Sequence, residues 1–93
     1  MIQQKEKTKK LFLEELGKNV KKIRKSKKLT QIDLAMRING DNNKISRIER
    51  GLYNFNVTSL LVLANALEVT LIDIIDIENI DFLIKNILEN VDY

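Results

Sequence analysis

The segment LTQIDLAMRINGDNNKISRIERG, residues 29–51, has the pattern of two short helices joined by a tight turn. Thr30 is an expected N-cap, and Asp33 stands at the third helical position, where it completes a capping box. The first helix of the pair is predicted from Gln31 to Ile38. It is followed by Asn39-Gly40, two residues that tolerate the positive φ of a tight turn. Its apolar side chains are expected to face a core: Leu34, Ala35 and Ile38.

The second helix of the pair is predicted from Asn42 to Arg50. Asp41 is its expected N-cap, and Gly51 is its expected C-terminal cap. Ile45 and Ile48 lie on one side of this helix and are expected to face inward. At about 100° per residue, the opposite side carries only polar or basic side chains, namely Asn43, Ser46, Arg47 and Arg50, flanked by Asn42 and Lys44.

This outward face has two interpretations. A polar face is ordinary on a surface helix, and Asn42 and Asn43 would then only support the N-cap. The same side chains also suit the base edges of DNA, because Asn pairs with adenine and Arg or Lys with guanine. Two neighbouring Asn residues are poor helix formers, which favours the second interpretation. Because two helices this short cannot bury their own apolar faces, other helices must complete the core, as in a helix-turn-helix.

The rest of the chain is predicted to supply those helices. It contains no Pro and three Gly, and its apolar residues recur at spacings of three and four, as in Leu13, Leu16, Val20 and Ile23. The sequence therefore predicts an all-α fold, with a five-helix helix-turn-helix domain over residues 8–75. The remaining helices of that domain are expected at residues 8–27, 57–67 (after Asn56) and 71–75 (after Thr70). Residues 1–7 are expected to form a flexible basic tail.

Residues 76–93 are predicted to form a C-terminal amphipathic helix. Its apolar residues follow the order i, i+3, i+4, i+7, i+8, i+11: Ile80, Leu83, Ile84, Ile87, Leu88 and Val91. This apolar stripe either folds back on the core of its own chain or packs against a second copy. We favour the second copy, because Val62 and Leu63 add further apolar surface. A two-fold dimer would place two copies of the second helix of the pair, the recognition helix at residues 42–50, about 34 Å apart on one face of DNA.

Charge is distributed unevenly along the chain. Residues 1–50 contain 15 of the 16 Lys and Arg and 6 of the 13 Asp and Glu, a net charge of +9, whereas residues 51–93 carry −6. A basic half of this kind favours a polyanionic partner, usually the phosphate backbone of a nucleic acid.

Several classes of function are disfavoured by the composition. The chain has no Cys and no His, so the usual metal ligands and the commonest general base are missing. We therefore expect no enzymatic activity, no cofactor and no metal site. No apolar run is long enough to predict a membrane span, and the expected location is the cytoplasm, at the nucleoid.

Several short motifs at fixed spacings resemble the phage-repressor-like (Cro/XRE-type) helix-turn-helix family. They are Leu29-Thr30-Gln31, Leu34-Ala35 and ISRIERG at residues 45–51, with Gly17, Val20, Ile23 and Arg24 upstream and Leu60, Ala64, Leu67 and Val69 downstream. The resemblance covers roughly residues 16–75 and implies five helices, a DNA-bound dimer and a role in transcriptional regulation. The controller proteins of restriction–modification systems, a subgroup of this family, are similar in size and in having a C-terminal dimerising helix.

The resemblance also implies roles for individual residues of the second helix. Asn42, Asn43 and Arg47 fall where members of the family contact bases. Lys44 and Ser46 are adjacent candidates for the same role.

Other implied roles concern the surroundings of that helix. Gln31 falls where a side chain binds a phosphate and braces the recognition helix. Asn54, in the loop that follows, falls near a backbone-amide contact with phosphate. Arg24 and Glu49 fall where the family often pairs its first helix with its third, and we interpret them as a structural pair.

The chain departs from the family at two turns. The family usually has Gly followed by an apolar residue where this chain has Asn39 and Gly40, although Asn also adopts the left-handed conformation. Lys28 stands where Gly is common.

Three functions are compatible with these features. We favour sequence-specific binding of double-stranded DNA by a homodimeric transcriptional regulator, with residues 42–50 in the major groove. The same fold also serves the antitoxin of a toxin–antitoxin pair, which binds DNA and a toxin. A module that binds only another protein is the third.

Overall fold

The computed structural model describes residues 2–77, 80–82 and 85, with side chains from residue 7 onward. Five helices follow one another along the chain: α1 Ile2–Ser26, α2 Gln31–Arg37, α3 Asn42–Glu49, α4 Val57–Leu67 and α5 Leu71–Ile75. The described residues contain no β-strand, and the predicted all-α fold is confirmed. None of the described helices has both the length and the apolar character needed to cross a bilayer.

The first helix is longer than the sequence analysis predicts. It begins at Ile2, not near Thr8, so residues 2–7, which the sequence assigns to a basic tail, are helical. The flexibility of that tail stays a prediction. Residues 3–7 are Gln, Lys and Glu, which all have high helix propensity. Because extending an existing helix is far cheaper than starting one, such residues continue it beyond the part that is packed.

The core lies where all five helices meet. Its largest fully buried side chains come from every helix: Leu16, Val20, Leu34, Ile45, Leu63, Leu67 and Ile74. Leu63 therefore belongs to the core, and of the two residues expected to add apolar surface for a second copy only Val62 is exposed. Ile45 and Ile48 of α3 both point into this core, as predicted. In α2, Leu34 and Ala35 are buried as expected, whereas Ile38 is half-buried at the edge of the core.

The predicted N-caps are all confirmed. The Thr30 hydroxyl accepts from the Asp33 amide at 3.0 Å, and the Asp33 carboxylate accepts from the Thr30 amide at 2.9 Å, which completes the capping box. Thr70 and Asp73 form a second capping box at α5. Single side-chain acceptors cap the other two helices, Asp41 at α3 and Asn56 at α4.

Four helices end at a residue in the left-handed conformation. The four residues are Lys28 (φ 60°), Asn39 (φ 51°), Gly51 (φ 77°) and Glu68 (φ 59°). At each end the next amide donates to the carbonyl five residues earlier, for example Leu29 to Arg24 at 3.2 Å, as in a Schellman motif. In the turn between α2 and α3 only Asn39 has positive φ, so Gly40 does not supply it.

Little of the predicted C-terminal helix lies within the described residues. Residues 80–82 are helical, and Ile80 is half-buried. The other apolar residues of the predicted stripe lie outside the described residues: Leu83, Ile84, Ile87, Leu88 and Val91.

Candidate DNA-binding surface

The orientation of α3 is fixed by a buried ion pair. Arg24 of α1 donates to Glu49 of α3 through Nε to Oε2 at 2.6 Å and through Nη2 to Oε1 at 3.1 Å. Arg24 is 6% exposed and Glu49 is 8% exposed. A third donor of the same guanidinium, Nη1, binds the Leu29 carbonyl at 2.7 Å, so the end of α1 is joined to the start of the helix pair. The predicted pair is therefore confirmed.

Gln31 joins the same group from the first turn of α2. Its Nε2 donates to Glu49 Oε1 at 3.0 Å, and its side chain is half-buried. This contact is the bracing part of the role predicted for Gln31. Its phosphate contact stays a prediction.

Two glycines allow α1 and α3 to approach closely. A Cβ at Gly17 would meet the backbone carbonyl of Ile48 and lie 2.8 Å from the carbonyl oxygen of Glu49. A Cβ at Gly51, which also has positive φ, would lie 2.7 Å from Cα of Glu14. The last turn of α3 therefore rests directly on the backbone of α1.

The outward face of α3 presents the predicted polar residues. Asn42, Asn43, Arg47 and Arg50 are exposed, and Lys44 and Ser46 are half-buried. Arg50 folds back on its own helix, with Nε 3.4 Å from the Ser46 carbonyl. Asn54 is exposed in the loop after the helix. Glu49 is the one acidic residue in the sequence of α3, and Arg24 neutralises it inside the protein, so the exposed face of α3 carries no acidic side chain.

Sequence analysis missed an aromatic cluster beside this face. Lys44 Nζ lies 5.2 Å from the centre of the Tyr53 ring, and Tyr53 meets Phe55 edge to face at 5.1 Å between ring centres. A hydrogen bond with the Ser59 side chain, with a smaller effect of the Lys44 and Arg47 charges, lowers the pKa of Tyr53. One signal was available: two of only five aromatic residues in the chain stand directly after the recognition helix.

Comparison with known proteins assigns the fold to a family. The family model for the helix-turn-helix matches residues 20–74, more than half of the chain, and this region contains α2, α3 and the buried ion pair. The chain belongs to the helix-turn-helix family. The Cro/XRE-type resemblance identified from its motifs is thereby confirmed, and members of this family are DNA-binding transcriptional regulators.

A phage protein is among the relatives of this helix-turn-helix chain. The immunity repressor protein of Bacillus phage phi105 is 40% identical over 52 residues, which are 56% of this chain and 36% of the repressor. The chain thus spans little more than a third of the length of that relative.

Solved structures of restriction-modification controller proteins are also similar to it. C.AhdI from Aeromonas hydrophila matches with a TM-score of 0.64 and 29% identity over 67% of this chain and 94% of that protein. Wild-type C.Esp1396I matches with a TM-score of 0.60 and 38% identity over 85% of this chain and 96% of that protein. A tetramer of C.Esp1396I with its natural 35 base-pair operator matches with a TM-score of 0.60 and 39% identity, over 83% of this chain and 95% of that one.

Proposed function

We propose that this helix-turn-helix protein is a dimeric transcriptional regulator that places α3 in the major groove and reads specific bases. The observation that carries the proposal is the separation of charge on α3. Its one acidic side chain is held inside by Arg24, while Asn42, Asn43 and Arg47 are exposed. These are the side chains that form paired hydrogen bonds with adenine and guanine edges.

Charge elsewhere in the chain supports the same orientation on DNA. The net charge of +9 in residues 1–50 favours contact with phosphates, and the net charge of −6 in residues 51–93 keeps the other half away from them. Gln31 at the start of α2 and Asn54 after α3 flank the recognition helix and are assigned to phosphates. Genomic DNA as the partner corresponds to a location in the cytoplasm, at the nucleoid.

Apolar surface on α4 and α5 supports the dimer. Val57 is 67% exposed, Leu61 is 51% exposed and Ile72 is 71% exposed, although α4 and α5 both pack on the core. Burial of such surface against a second copy is favourable by about 25 cal/mol per Å². A two-fold axis would then present two copies of α3 to successive major grooves about 34 Å apart.

Between the candidate functions, the relatives favour a regulator over an antitoxin. The similar proteins are named as an immunity repressor and as controller proteins of restriction-modification systems. We accordingly propose control of transcription at an operator with two half-sites.

Selection of bound duplexes from a random DNA pool tests this proposal. We expect enrichment of a two-part, near-palindromic sequence with half-site centres about one helical turn apart, and affinity that falls steeply with salt. Arg47→Ala is expected to lower the ratio of operator affinity to random-duplex affinity about tenfold or more. The control is Lys85→Ala, an exposed basic residue of the acidic half, which should leave that ratio unchanged. Enrichment of no sequence would refute base-specific recognition.

A further inference from the structure

The position of Lys44 on α3 needs an explanation. It stands in the first turn of the helix, where the helix dipole disfavours a cation. Its neighbours Asn42 and Asn43 are exposed, whereas Lys44 is half-buried. Its ammonium lies 5.2 Å from the centre of the Tyr53 ring, within the range of a cation–π interaction. The Tyr53 ring therefore stabilises the Lys44 ammonium, which the helix dipole destabilises at this position.

The Tyr53 ring is itself held from two sides. Phe55 packs against it edge to face, at 73° between the ring planes. Hydrogen bonding with the Ser59 side chain, at the start of α4, lowers the pKa of the Tyr53 hydroxyl. Tyr53, Phe55 and Ser59 also line a cavity of about 230 Å³ between α3 and α4, and the Lys44 side chain covers part of it. Lys44 consequently rests on a ring that neighbouring side chains hold in place.

The Tyr53 hydroxyl lies near the cationic side of the recognition helix. The charges of both Lys44 and Arg47 act on it. Both cations therefore lie near the same hydroxyl, and Arg47 is exposed on the face assigned to base contacts. The Lys44 ammonium is thus held near the edge of that face. Residues in the first turn of a recognition helix are the ones that enter the major groove.

We propose that Tyr53 is a positioning residue that holds Lys44 in the direction of a guanine edge, and that Lys44 is thereby a specificity-determining residue. The proposal rests on the proposed function, because it requires base-specific binding. A lysine in solution loses side-chain rotamer entropy when it binds. With the ring beneath it, Lys44 has lost part of that freedom before DNA arrives, and the ammonium reaches guanine O6 and N7 from one direction.

The free protein gives the first test. The side-chain methylene protons nearest the Lys44 ammonium are expected at higher field in the NMR spectrum than those of exposed Lys85, because Lys44 Nζ lies over the Tyr53 ring. Tyr53→Leu is expected to abolish the difference, and Tyr53→Phe to retain it. Ordinary chemical shifts for Lys44 in the wild-type protein would overturn the proposal, whatever the DNA results.

Binding to DNA gives the second test. The probes are the duplex enriched from the random pool, its single base-pair substitutions, and a random duplex. Lys44→Met is expected to lower the operator-to-random affinity ratio about tenfold, with the loss concentrated at one G·C pair in each half-site. Tyr53→Leu is expected to lower the same ratio about threefold. Tyr53→Trp, which presents a stronger π face, should retain the wild-type ratio.

A double variant separates positioning from independent contacts. Tyr53→Leu with Lys44→Met is expected to lose no more than Lys44→Met alone, because Tyr53 acts through Lys44. Additive losses would overturn the proposal, as would equal losses on operator and random duplex, which indicate a phosphate contact. If the wild-type protein enriches no sequence, the proposed function fails. If it does enrich one and Tyr53→Leu preserves the ratio, only the positioning role fails. Thermal unfolding of each variant verifies that its fold is intact.

Discussion

The carboxylate of Glu49 accepts two hydrogen bonds from the guanidinium of Arg24, at 2.6 and 3.1 Å. They belong to α3 and α1, so this one contact relates the proposed recognition helix to the longest of the described helices. Gln31 Nε2, at 3.0 Å from Glu49 Oε1, adds a contact from α2. All three helices of the DNA-binding unit therefore converge on a single carboxylate.

Loss of one partner of this pair is expected to be far more costly than loss of both. Arg24→Met or Glu49→Leu leaves a buried charge without its counter-ion, which costs about 3–5 kcal/mol of unfolding free energy. The double variant leaves neither charge, so its loss should be smaller than that of either single variant. Urea unfolding followed by circular dichroism measures the three values.

The matched control is the exposed pair of Lys18 and Glu15, whose nitrogen and oxygen are 3.2 Å apart. Lys18→Ala should change the unfolding free energy by less than about 1 kcal/mol, because solvent screens that pair. Additive effects of Arg24→Met and Glu49→Leu would show that the two side chains stabilise the fold independently.

Alanine at Gly17 is expected to destabilise the protein, although alanine favours helices. Helix propensity alone would give a gain of about 0.5–1 kcal/mol. The added Cβ, however, would lie 2.8 Å from the Glu49 carbonyl oxygen, and both atoms belong to packed helices that cannot easily move. We expect a net loss of about 1–3 kcal/mol. Gly51→Ala adds a positive φ of 77° to a similar clash and should cost at least as much.

Gly40→Ala is the control for both glycine variants. A Cβ at Gly40 would meet side-chain atoms alone, Ile38 Cδ1 and Cγ1 at 3.2 Å and Lys44 Cδ at 3.7 Å, and φ there is not positive. Thermal unfolding should therefore place Gly40→Ala close to the wild type. If Gly17→Ala were as stable as Gly40→Ala, that result would contradict the close approach of the α1 and α3 backbones at Gly17.

Glycine at Lys28 and at Glu68 is expected to stabilise the protein. Both residues end helices with φ near 60°, a conformation that costs an L side chain about 1–2 kcal/mol. Glycine avoids this strain but loses more entropy on folding, so we expect a net gain of about 0.5–1 kcal/mol at each site. The sites lie at different helix ends, and their gains should add. A gain of about 1 kcal/mol raises the melting temperature of so small a domain by roughly 4–8 °C.

Lys27→Gly provides the comparison. It removes the same charge from the same turn, but Lys27 has no positive φ, so glycine there brings only its entropic cost. A lower melting temperature for Lys27→Gly beside a higher one for Lys28→Gly would isolate the backbone effect. Equal changes in the two variants would instead indicate that loss of a lysine charge is responsible.

The features predicted best from the sequence are those determined by neighbouring residues. Thr30 with Asp33 and Asn56 with Ser59 are contacts across three residues, and the hydrogen bonds of a cap are satisfied locally. The buried positions of α3 follow from helical periodicity alone. For the same reason the sequence predicts the start of α1 too late, because residues 2–7 carry no local signal for the beginning of a helix.

Contacts between distant segments could not be predicted in this way. Asn19 Nδ2 donates to the carbonyls of Asp73 and Ile74, at 3.0 and 2.7 Å, and so ties α1 to the end of α5. Nothing near Asn19 in the sequence indicates this partner, more than fifty residues away. The support of Lys44 by Tyr53 likewise depends on how the loop after α3 folds back. Such contacts exist only once the helices have packed.

The two capping boxes predict how stability depends on pH. Hydrogen bonds with the backbone and side chain of Thr30 lower the pKa of Asp33 below its ordinary value of 3.8. Hydrogen bonds with Thr70 lower the pKa of Asp73 in the same way. A carboxyl group with a lowered pKa in the folded state stabilises that state at every pH above its unfolded value. This contribution is complete above pH 3.8 and is lost as the pH falls below 3.8 through the lower, folded values.

The double variant Asp33→Asn with Asp73→Asn measures this effect, because asparagine cannot be protonated in this range. We expect the wild-type protein to be more stable than the variant by a constant amount from about pH 5 to 7, and the difference to shrink below pH 3.8. Urea midpoints at a series of pH values follow the difference directly. Arg37 near Asp33 and Lys27 near Asp73 make smaller, Coulombic contributions, so added salt should reduce the difference only slightly. A difference that persisted unchanged down to about pH 2 would mean that asparagine fails as a cap for reasons other than charge.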